Sequence, residues 1–567
     1  MSFDHTRGEA LSRSPLNAAI LATLLLTLCV FWLYTCVFNY LPFWITNQEY
    51  AYHTLGHGLN VDQWLFERGG RRHGFHQYMH PGVFYQIASW LAYRVSLLPA
   101  FPGAEAAFLA HIENPEPFQT TVHALTLLIG LLSAVLFWRL ARGLDVMVRS
   151  AIALAPLSQA YLWYAGLQQM MPETFAVLVA WMSFAAGYRS FTTEQVAWKT
   201  LVVRFGLVGG AACFAYLIKL NYLPWAGALG AASVLWAALA RPGWKQTAIA
   251  ALAFIGGFAL VFLIFCMAFL GQDQIPRMLS FHFSFFGHTG YQGAGEEGFM
   301  DFAKAWTAFL NGWRNLNFFA MLSWVLGFGA LIVVALNLLV PEKRRAAEAD
   351  PRAVCLLLFA GLGILLGMLA VLKHPGNNYL IAISALWPVM LLALGQLVGK
   401  TLLRATCALV LLVVAQAGFE AVRTHNDHAD WARSRVAEVE KVFALPIEKG
   451  ELRLWAFKVP SKPFIARHSV ELSSVKAYRD VINRIFPEDQ MFNIWRNAVR
   501  MNQEWHQIDD IPWRYAIVDR AYSREPKDIP RPFRYKGHEV EALDTIMIIK
   551  RAPAESPTEG EATPRAE

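Results

Sequence analysis

The chain has 567 residues, of which 56% are hydrophobic and only 16% are charged, and its formal net charge is +7. Soluble proteins carry about 25% charged residues, so this composition excludes an ordinary soluble protein. Apolar windows of about 20 residues, the length that crosses a bilayer, recur along the sequence. The sequence therefore predicts a polytopic α-helical membrane protein. Its positive charge lies largely in the connections between apolar segments, where it orients helices, and does not indicate nucleic-acid binding.

Eleven membrane spans are predicted from the apolar windows. They cover residues 16–38, 121–140, 150–167, 172–188, 202–220, 223–240, 248–270, 317–340, 353–372, 378–398 and 402–419. The first span is too long for a cleaved signal peptide and is not followed by a small-residue cleavage site. Six cysteines lie in or beside apolar segments without CxxC spacing, so they indicate neither a zinc site nor a redox pair.

Basic residues cluster in alternate connections, for example at Arg139, Arg142 and Arg149. The positive-inside rule places these connections in the cytoplasm, together with the N-terminus. The predicted organisation is then a cytoplasmic N-terminus (1–15), a membrane domain (16–419) with outer loops 39–120 and 271–316, and an external region after 420.

The segment from His80 to Ala100 allows two interpretations. It is apolar enough to be a further span, but polar side chains such as Gln86 and Arg94 interrupt it. Counting it as a span would also move the Arg139–Arg149 connection outside. We therefore favour a helix that lies at the outer membrane interface with its apolar side down.

The sequence changes character after Phe419, where charge density rises. Three alternating apolar runs, 451–459, 513–522 and 544–551, predict strands, and 474–486 predicts a helix. Residues 420–552 are thus predicted to form a periplasmic α/β domain. The Pro/Glu-rich tail 553–567 lacks apolar anchors and is predicted to be disordered.

Ionisable residues at membrane depth or in large outer loops are candidates for function. The candidate residues all lie on the predicted outer side of the membrane. They are Glu49, Asp62, Arg71, Arg72, His80, Glu173, Lys219, Arg277, His282, His288 and Lys373. Two of them have simpler explanations: Glu173 is placed to stabilise the first turn of a helix, and the Lys219 side chain can extend to the membrane interface.

The stretch "RRHGFHQYMHPG" (71–82) combines two arginines with His73, His76 and His80. Histidines at spacings of three and four can bind zinc on a helix. Gly74 weakens such a helix, however, and the arginines would repel a cation. A contact with an anion or an acceptor is favoured over a metal site, and an ordinary interfacial loop remains an alternative.

Five local motifs occur in an order that resembles the GT-C membrane glycosyltransferases, in the branch of the protein O-mannosyltransferases and the lipid A aminoarabinose transferase. The similarity covers roughly residues 15–400. The motifs are "QEYAYHTL", "HPGVFYQIASWL", "MMPETFAVLVAW", "GLVGGAACFAYLIKLNYLPWAG" and "NNYLIAISALWPVML". Each is weak alone, but the ordered set is fairly specific for the superfamily.

The resemblance implies that a sugar is moved, with inversion, from a polyprenyl-phosphate donor to an acceptor hydroxyl on the periplasmic face of a bacterial inner membrane. It implies a carboxylate general base, which by position is Glu49, with Asp62 and Glu173 as alternatives. The donor phosphate would be bound by Arg71, Arg72, Lys219, Arg277 and Lys373. Further substrate contacts would come from Tyr52, His80, His282, His288, Asn378 and Tyr379.

Two departures from the family pattern leave the base open. The family motif is usually Asp-Glu, whereas this chain has Gln48-Glu49. The related transferase has an aspartate before the helix-opening proline, whereas here Met171 precedes Pro172 and Glu173 follows it. No cofactor is required by these features, and a divalent cation stays open.

Two other classes of function are compatible with the sequence. A lipid or glycan transporter would need charged residues in mid-helix, which the predicted spans almost lack. A non-catalytic protein of this fold is the second alternative, and Gln48 is its best support. The acceptor, whether a membrane lipid, a glycan or a protein, cannot be read from the sequence.

Overall fold

The computed structural model describes most of the chain. The described residues are 15–45, 48–66, 83–163, 171–269, 274–289, 296–314, 318–373, 379–456, 459, 461–473, 476–493, 498–501, 504–520, 533 and 538–552. They divide into two compact units, one drawn from the described residues of 15–40, 57–107 and 115–426 and the other from those of 41–56, 108–114 and 427–552. The predicted tail, 553–567, lies outside the described residues.

Nine helices of the described chain are long and apolar enough to cross a membrane. A helix satisfies its backbone polar groups internally, which is the condition for crossing hydrocarbon. These helices are α1 (Pro15–Leu33, extended by a π-helical turn Tyr34–Phe38), α5 (Glu116–Leu140), α8 (Trp198–Ile218), α9 (Leu223–Ala240), α10 (Trp244–Phe269), α13 (Phe318–Leu339), α15 (Arg352–Lys373), α16 (Leu380–Leu397) and α17 (Lys400–Ala444). They account for nine of the eleven predicted spans.

The other two predicted spans, 150–167 and 172–188, are not single long α-helices. Within the described residues the first begins as α6 (Val146–Leu154) and a 3-10 turn that contains Pro156. The second consists of the 3-10 turn Pro172–Phe175 and, directly after it, the 15-residue helix α7 (Ala176–Ser190). Each proline removes a backbone donor and limits the α-helix.

Six further helices complete the described part of the helical region. They are α2 (Gln48–Phe66), α3 (Val83–Val95), α4 (Ala104–Glu113), α11 (Gln274–Gly287), α12 (Phe302–Arg314) and α14 (Pro341–Ala349). Helix α3 covers the segment that allowed two interpretations. Its 13 residues span about 20 Å, too short to cross a bilayer, which supports the interfacial interpretation.

Helix α16 forms the centre of the first unit. It is buried at every position from Leu380 to Leu394, and a helix that is apolar on all sides belongs in a core.

Helices α8 and α10 pack with their backbones in close contact. A Cβ atom built on Gly257 of α10 would lie 2.1 Å from the Gly206 carbonyl oxygen of α8, and one on Gly209 would lie 1.9 Å from the Phe254 carbonyl oxygen. Only glycine permits this approach of the two backbones.

The second unit does not begin where charge density rises. The predicted boundary at 420 falls inside α17, which continues without a break to Ala444, and the unit includes residues from Asp427 onward. No proline or glycine follows Gly418 before the end of this helix. The change in composition at 420 therefore falls within one helix, and the compact unit begins several residues later, at Asp427.

The second unit contains a seven-stranded mixed sheet in the order β4-β3-β2-β1-β5-β7-β6, in which the neighbouring pairs β2–β1 and β1–β5 are parallel and the other described pairs are antiparallel. The strands are β1 (Leu452–Ala456), β2 (Asp489–Asn493), β3 (Ala498–Met501), β4 (Glu504–Gln507), β5 (Trp513–Asp519), β6 (Glu539–Ala542) and β7 (Ile546–Lys550). Two helices accompany them, α18 (Lys462–Ser473) and α19 (Lys476–Ile485). The predicted strands β1, β5 and β7 and the predicted helix α19 are present.

Buried charges of α17 bind the sheet. Arg435, which is fully buried, donates hydrogen bonds to Asp519 at 2.9 Å and to the Thr545 carbonyl at 2.9 Å. The Glu438 carboxylate accepts from the backbone amides of Thr545 and Ile546, both at 3.0 Å. Both buried charges thus have hydrogen-bond partners in the sheet.

The stability of the second unit should fall with acidification because of His468. Its Nδ1 is buried and its ring stacks on Phe464 at 5.7 Å. Burial lowers the pKa of His468 to about 4. The folded protein thus binds this proton less readily than the unfolded chain, whose histidines titrate near 6.5. The contribution is complete above pH 6.5 and is lost as the pH falls to 4, up to about 3 kcal/mol.

Replacing His468 by phenylalanine should flatten this dependence. The measurement is the apparent unfolding midpoint of the full-length protein at pH 7.5 and at pH 4.5. His506→Phe, on the edge strand β4, is the control and should keep the wild-type slope. An unchanged slope in His468→Phe would show that another group is responsible.

Candidate functional site

An ion pair joins two of the predicted residues at the ends of apolar helices. Lys219 follows the last residue of α8 and has an extended backbone, and a 3-10 turn (Leu220–Tyr222) then leads into α9. Glu173 lies in the 3-10 turn before α7. Lys219 Nζ donates to Glu173 Oε1 at 2.5 Å, and the two side chains are 15% and 1% exposed. The ammonium group is therefore held in one place instead of extending freely to the interface.

Aromatic side chains surround this pair. The Tyr379 ring centroid lies 4.6 Å from Lys219 Nζ, which is a cation–π distance. Tyr222 is 2% exposed, and its hydroxyl has no hydrogen-bond partner among the described residues. The Tyr222 backbone amide donates to the Lys219 carbonyl at 2.9 Å. The structure thus brings Glu173, Lys219 and Tyr379 together and adds Tyr222.

Lys373, at the end of α15, is the second cation of this region. Its Nζ donates to the Phe285 carbonyl of α11 at 2.6 Å. The ring centroids of Phe299 and Phe285 lie 4.6 Å and 5.4 Å from the same Nζ. Helix α15 also packs against the turn Leu220–Tyr222. A partly dehydrated ammonium group of this kind is suited to binding an anion.

His282 of α11 is held by α8. Its Nδ1 shares a hydrogen bond of 2.5 Å with the Tyr216 hydroxyl. The pair lies beside an apolar cluster that includes Cys213, Cys266 and Met278. This hydrogen bond satisfies two polar groups that would otherwise be costly to bury. It also fixes α11 against the end of α8, next to Lys219 in sequence.

The remaining predicted residues of α11 occupy different positions. Arg277 is exposed. His288, just after the helix, is half-buried, and its Nδ1 lies 3.0 Å from the Ser284 carbonyl oxygen of the preceding turn. These positions do not assign a ligand to either residue. Arg277 and His288 both remain predictions for substrate or phosphate binding.

Asp62 has a position that favours a structural role. It is fully buried at the C-terminal end of α2 and accepts two hydrogen bonds from Arg94 of α3, the second, from Nη2, at 2.5 Å. The Trp90 indole also donates to it at 3.0 Å. These three donors hold the carboxylate between α2 and α3. The geometry thus favours a positioning role over that of the general base.

Replacing Asp62 by asparagine should destabilise the protein by about 3 kcal/mol, because it leaves the buried Arg94 without its counter-charge. The double variant Asp62→Asn/Arg94→Met should regain much of this stability. Apparent unfolding midpoints of both variants, with Asp301→Asn as an exposed control, check the prediction. If Asp62 were the base, the double variant would fold but show no transfer.

Several predicted residues lie outside the described part of the chain. They are Arg71, Arg72, His80 and Asn378, together with the side chains of Glu49 and Tyr52. Their roles remain predictions. Whether the stretch 71–82 binds a metal, contacts an anion or an acceptor, or forms an ordinary interfacial loop also remains a prediction. Among the described residues, no three His, Cys, Asp or Glu side chains are grouped to hold a metal ion.

Two solved structures are similar to this chain. One is ArnT from Cupriavidus metallidurans bound to undecaprenyl phosphate, with a TM-score of 0.43, 13% identity, and coverage of 94% of this chain and 97% of that one. The other is the same transferase in the apo state, with a TM-score of 0.32, 14% identity, and coverage of 87% and 92%. ArnT, the lipid A aminoarabinose transferase, is in the GT-C branch to which the sequence motifs are similar. No protein-family model and no curated protein matches the sequence.

Sequence reasoning missed Tyr216 and Tyr222. Both lie three residues from Lys219, one on each side, in "AYLIKLNY". Tyrosines at this spacing are also common in apolar helix cores, so the pattern alone did not separate the two cases. The signal that would have found them is their nearness to the selected lysine.

Proposed function

We propose that this protein is a membrane glycosyltransferase that moves a sugar from a polyprenyl-phosphate donor to an acceptor hydroxyl at the periplasmic face of the inner membrane. The observation that carries the proposal is the fixed ammonium group of Lys219, held by Glu173 and covered by Tyr379 at the ends of membrane helices. The ordered motifs that resemble GT-C transferases contain all three residues.

The chemistry needs a cation at the membrane surface. When the sugar leaves its carrier, negative charge develops on the lipid phosphate. A preorganised donor at that position lowers the barrier because it does not have to reorganise during the reaction. Lys219 meets this need, and Lys373 offers a second ammonium group in an aromatic surrounding. Arg71, Arg72 and Arg277 are proposed as further phosphate ligands on the basis of the sequence.

Glu49 is proposed as the general base that deprotonates the acceptor hydroxyl. Of the three candidate carboxylates, that of Asp62 forms an ion pair with Arg94, and that of Glu173 forms an ion pair with Lys219. We assign Glu173 to the positioning of Lys219. His282, Tyr379 and the predicted residues Tyr52, His80, His288 and Asn378 are proposed to contact the sugar or the acceptor.

The test is sugar transfer in membranes from a panel of labelled undecaprenyl-phosphate sugars, with wild type beside Glu49→Gln. The wild type should transfer sugar from one donor of the panel. The substitution should lower the rate of this transfer at least about 100-fold, the usual contribution of a general base. Glu105→Gln, in α4, is a control that should retain the wild-type rate.

The other outcomes discriminate among the alternatives. Equal transfer by Glu49→Gln would remove Glu49 as the base. Absence of transfer from every donor by folded wild-type protein would contradict the proposal and favour a non-catalytic role. Movement of an intact lipid-linked sugar across the membrane, without transfer, would favour a transporter.

A further inference from the structure

A buried arginine lies at the opposite ends of the helices from Lys219 in the predicted topology. Arg149 of α6 is 4% exposed. Its guanidinium carbon lies 4.2 Å from the Trp138 ring centroid, and its Nη2 donates to the Trp138 carbonyl at 3.4 Å. Its Nε is buried and has no hydrogen-bond partner among the described residues. A buried cation without a counter-charge in the described part of the chain is unfavourable, so this arrangement calls for an anion.

The surroundings supply positive charge and little negative charge. Arg139 and Arg142 are exposed on the same connection. The carboxylate of the nearby Asp145 already has other partners. It accepts from Arg404 at 3.0 Å and from the Val148 amide at 3.1 Å. The three arginines of this connection, Arg139, Arg142 and Arg149, are called the arginine cluster below.

The position of the cluster indicates the source of the anion. Helix α5 has 25 residues and is about 37 Å long, longer than the hydrocarbon core of about 30 Å. Its last turn, which carries Trp138 and Arg139, therefore reaches the level of the lipid headgroups. Basic pockets between membrane helices on the cytoplasmic side are known to bind lipid phosphates.

We propose that the arginine cluster is a binding site for the phosphate of an anionic phospholipid. The buried Arg149 would bind a phosphate oxygen through its Nε, and the exposed Arg139 and Arg142 would neutralise the headgroup. This site is separate from the proposed transfer reaction and does not depend on it.

Native mass spectrometry of the full-length protein in mild detergent tests the proposal. Phosphatidylglycerol and phosphatidylcholine are titrated separately, and the lipids that remain bound are counted. Wild type should retain one phosphatidylglycerol in preference to phosphatidylcholine. Arg139→Gln/Arg142→Gln changes only exposed side chains and should weaken this retention roughly tenfold or more. Arg149→Gln should abolish it.

Arg241→Gln is the matched control. Arg241 is an exposed arginine of another predicted cytoplasmic connection and is paired with Glu348, so its loss should leave the lipid bound. Equal retention by wild type and the double variant would overturn the proposal, even if Arg149→Gln fails to fold. Displacement of the lipid by excess inorganic phosphate would also overturn it, because the site would then bind free phosphate.

Discussion

Replacing Lys219 by methionine is expected to lower the rate of sugar transfer by about 1,000-fold. The reason is the loss of a fixed positive charge at the position where the leaving phosphate would develop its negative charge. Methionine preserves the length and the apolar character of the side chain. The measurement is the transfer rate from the donor that wild type uses, in membranes with matched amounts of folded protein.

The same substitution has a second effect that must be separated from the first. It leaves Glu173, whose side chain is 1% exposed, without Lys219. Removing one partner of a buried ion pair costs about 3–5 kcal/mol. The companion variant Lys219→Met/Glu173→Gln removes both charges, so it should recover most of the stability. It should not recover transfer.

A control and an opposite outcome complete this test. Lys199 lies on the same helix, α8, near its other end, and is exposed. Lys199→Met should transfer sugar at the wild-type rate. If the double variant Lys219→Met/Glu173→Gln transfers normally, the ion pair has only a structural role, and the phosphate must be bound by other cations.

Replacing Gly257 by alanine is expected to destabilise the membrane unit by about 3 kcal/mol. The new Cβ atom would lie 2.1 Å from the Gly206 carbonyl oxygen of α8, and this oxygen belongs to the backbone of a packed helix. Helices α8 and α10 would have to separate, which loses close packing along their whole contact. The expected result is a lower apparent unfolding midpoint in detergent.

The adjacent glycine provides a closely matched control. A Cβ atom on Gly256 would meet no atom within 4 Å, and alanine has the higher helix propensity. Gly256→Ala should therefore keep or slightly raise the midpoint. Equal midpoints for the two variants would mean that α8 and α10 are not packed as closely as described.

Much of the helical architecture follows from the sequence alone, because a span must be long and apolar. Nine predicted spans correspond to helices of sufficient length, such as α8 and α16. Alternation of apolar residues likewise predicted β1, β5 and β7. The strands β2, β3, β4 and β6 were not predicted. Of these, β4 ("EWHQ") and β6 ("EVEA") are short and polar and lie at the two edges of the sheet.

The candidate site could be predicted only in part. Glu173, Lys219 and Lys373 could be identified because they are charged residues in an apolar sequence. An isolated charge is energetically costly there and marks a candidate functional site. Their partners could not be predicted, because they come from distant parts of the chain. Lys219 is 46 residues from Glu173, and Lys373 is 88 residues from Phe285, whose carbonyl it binds.

Local composition is therefore enough to show which segments are helices and where charges interrupt them. What each charge does depends on contacts between distant parts of the chain. Asp62 and Glu173 were equivalent as candidate bases in the sequence, but contacts separate them: Asp62 binds Arg94, and Glu173 binds Lys219. Gly256 and Gly257 are neighbours in one helix and differ only in what they face. Helix packing makes this difference, because it places backbone against one glycine and open space beside the other.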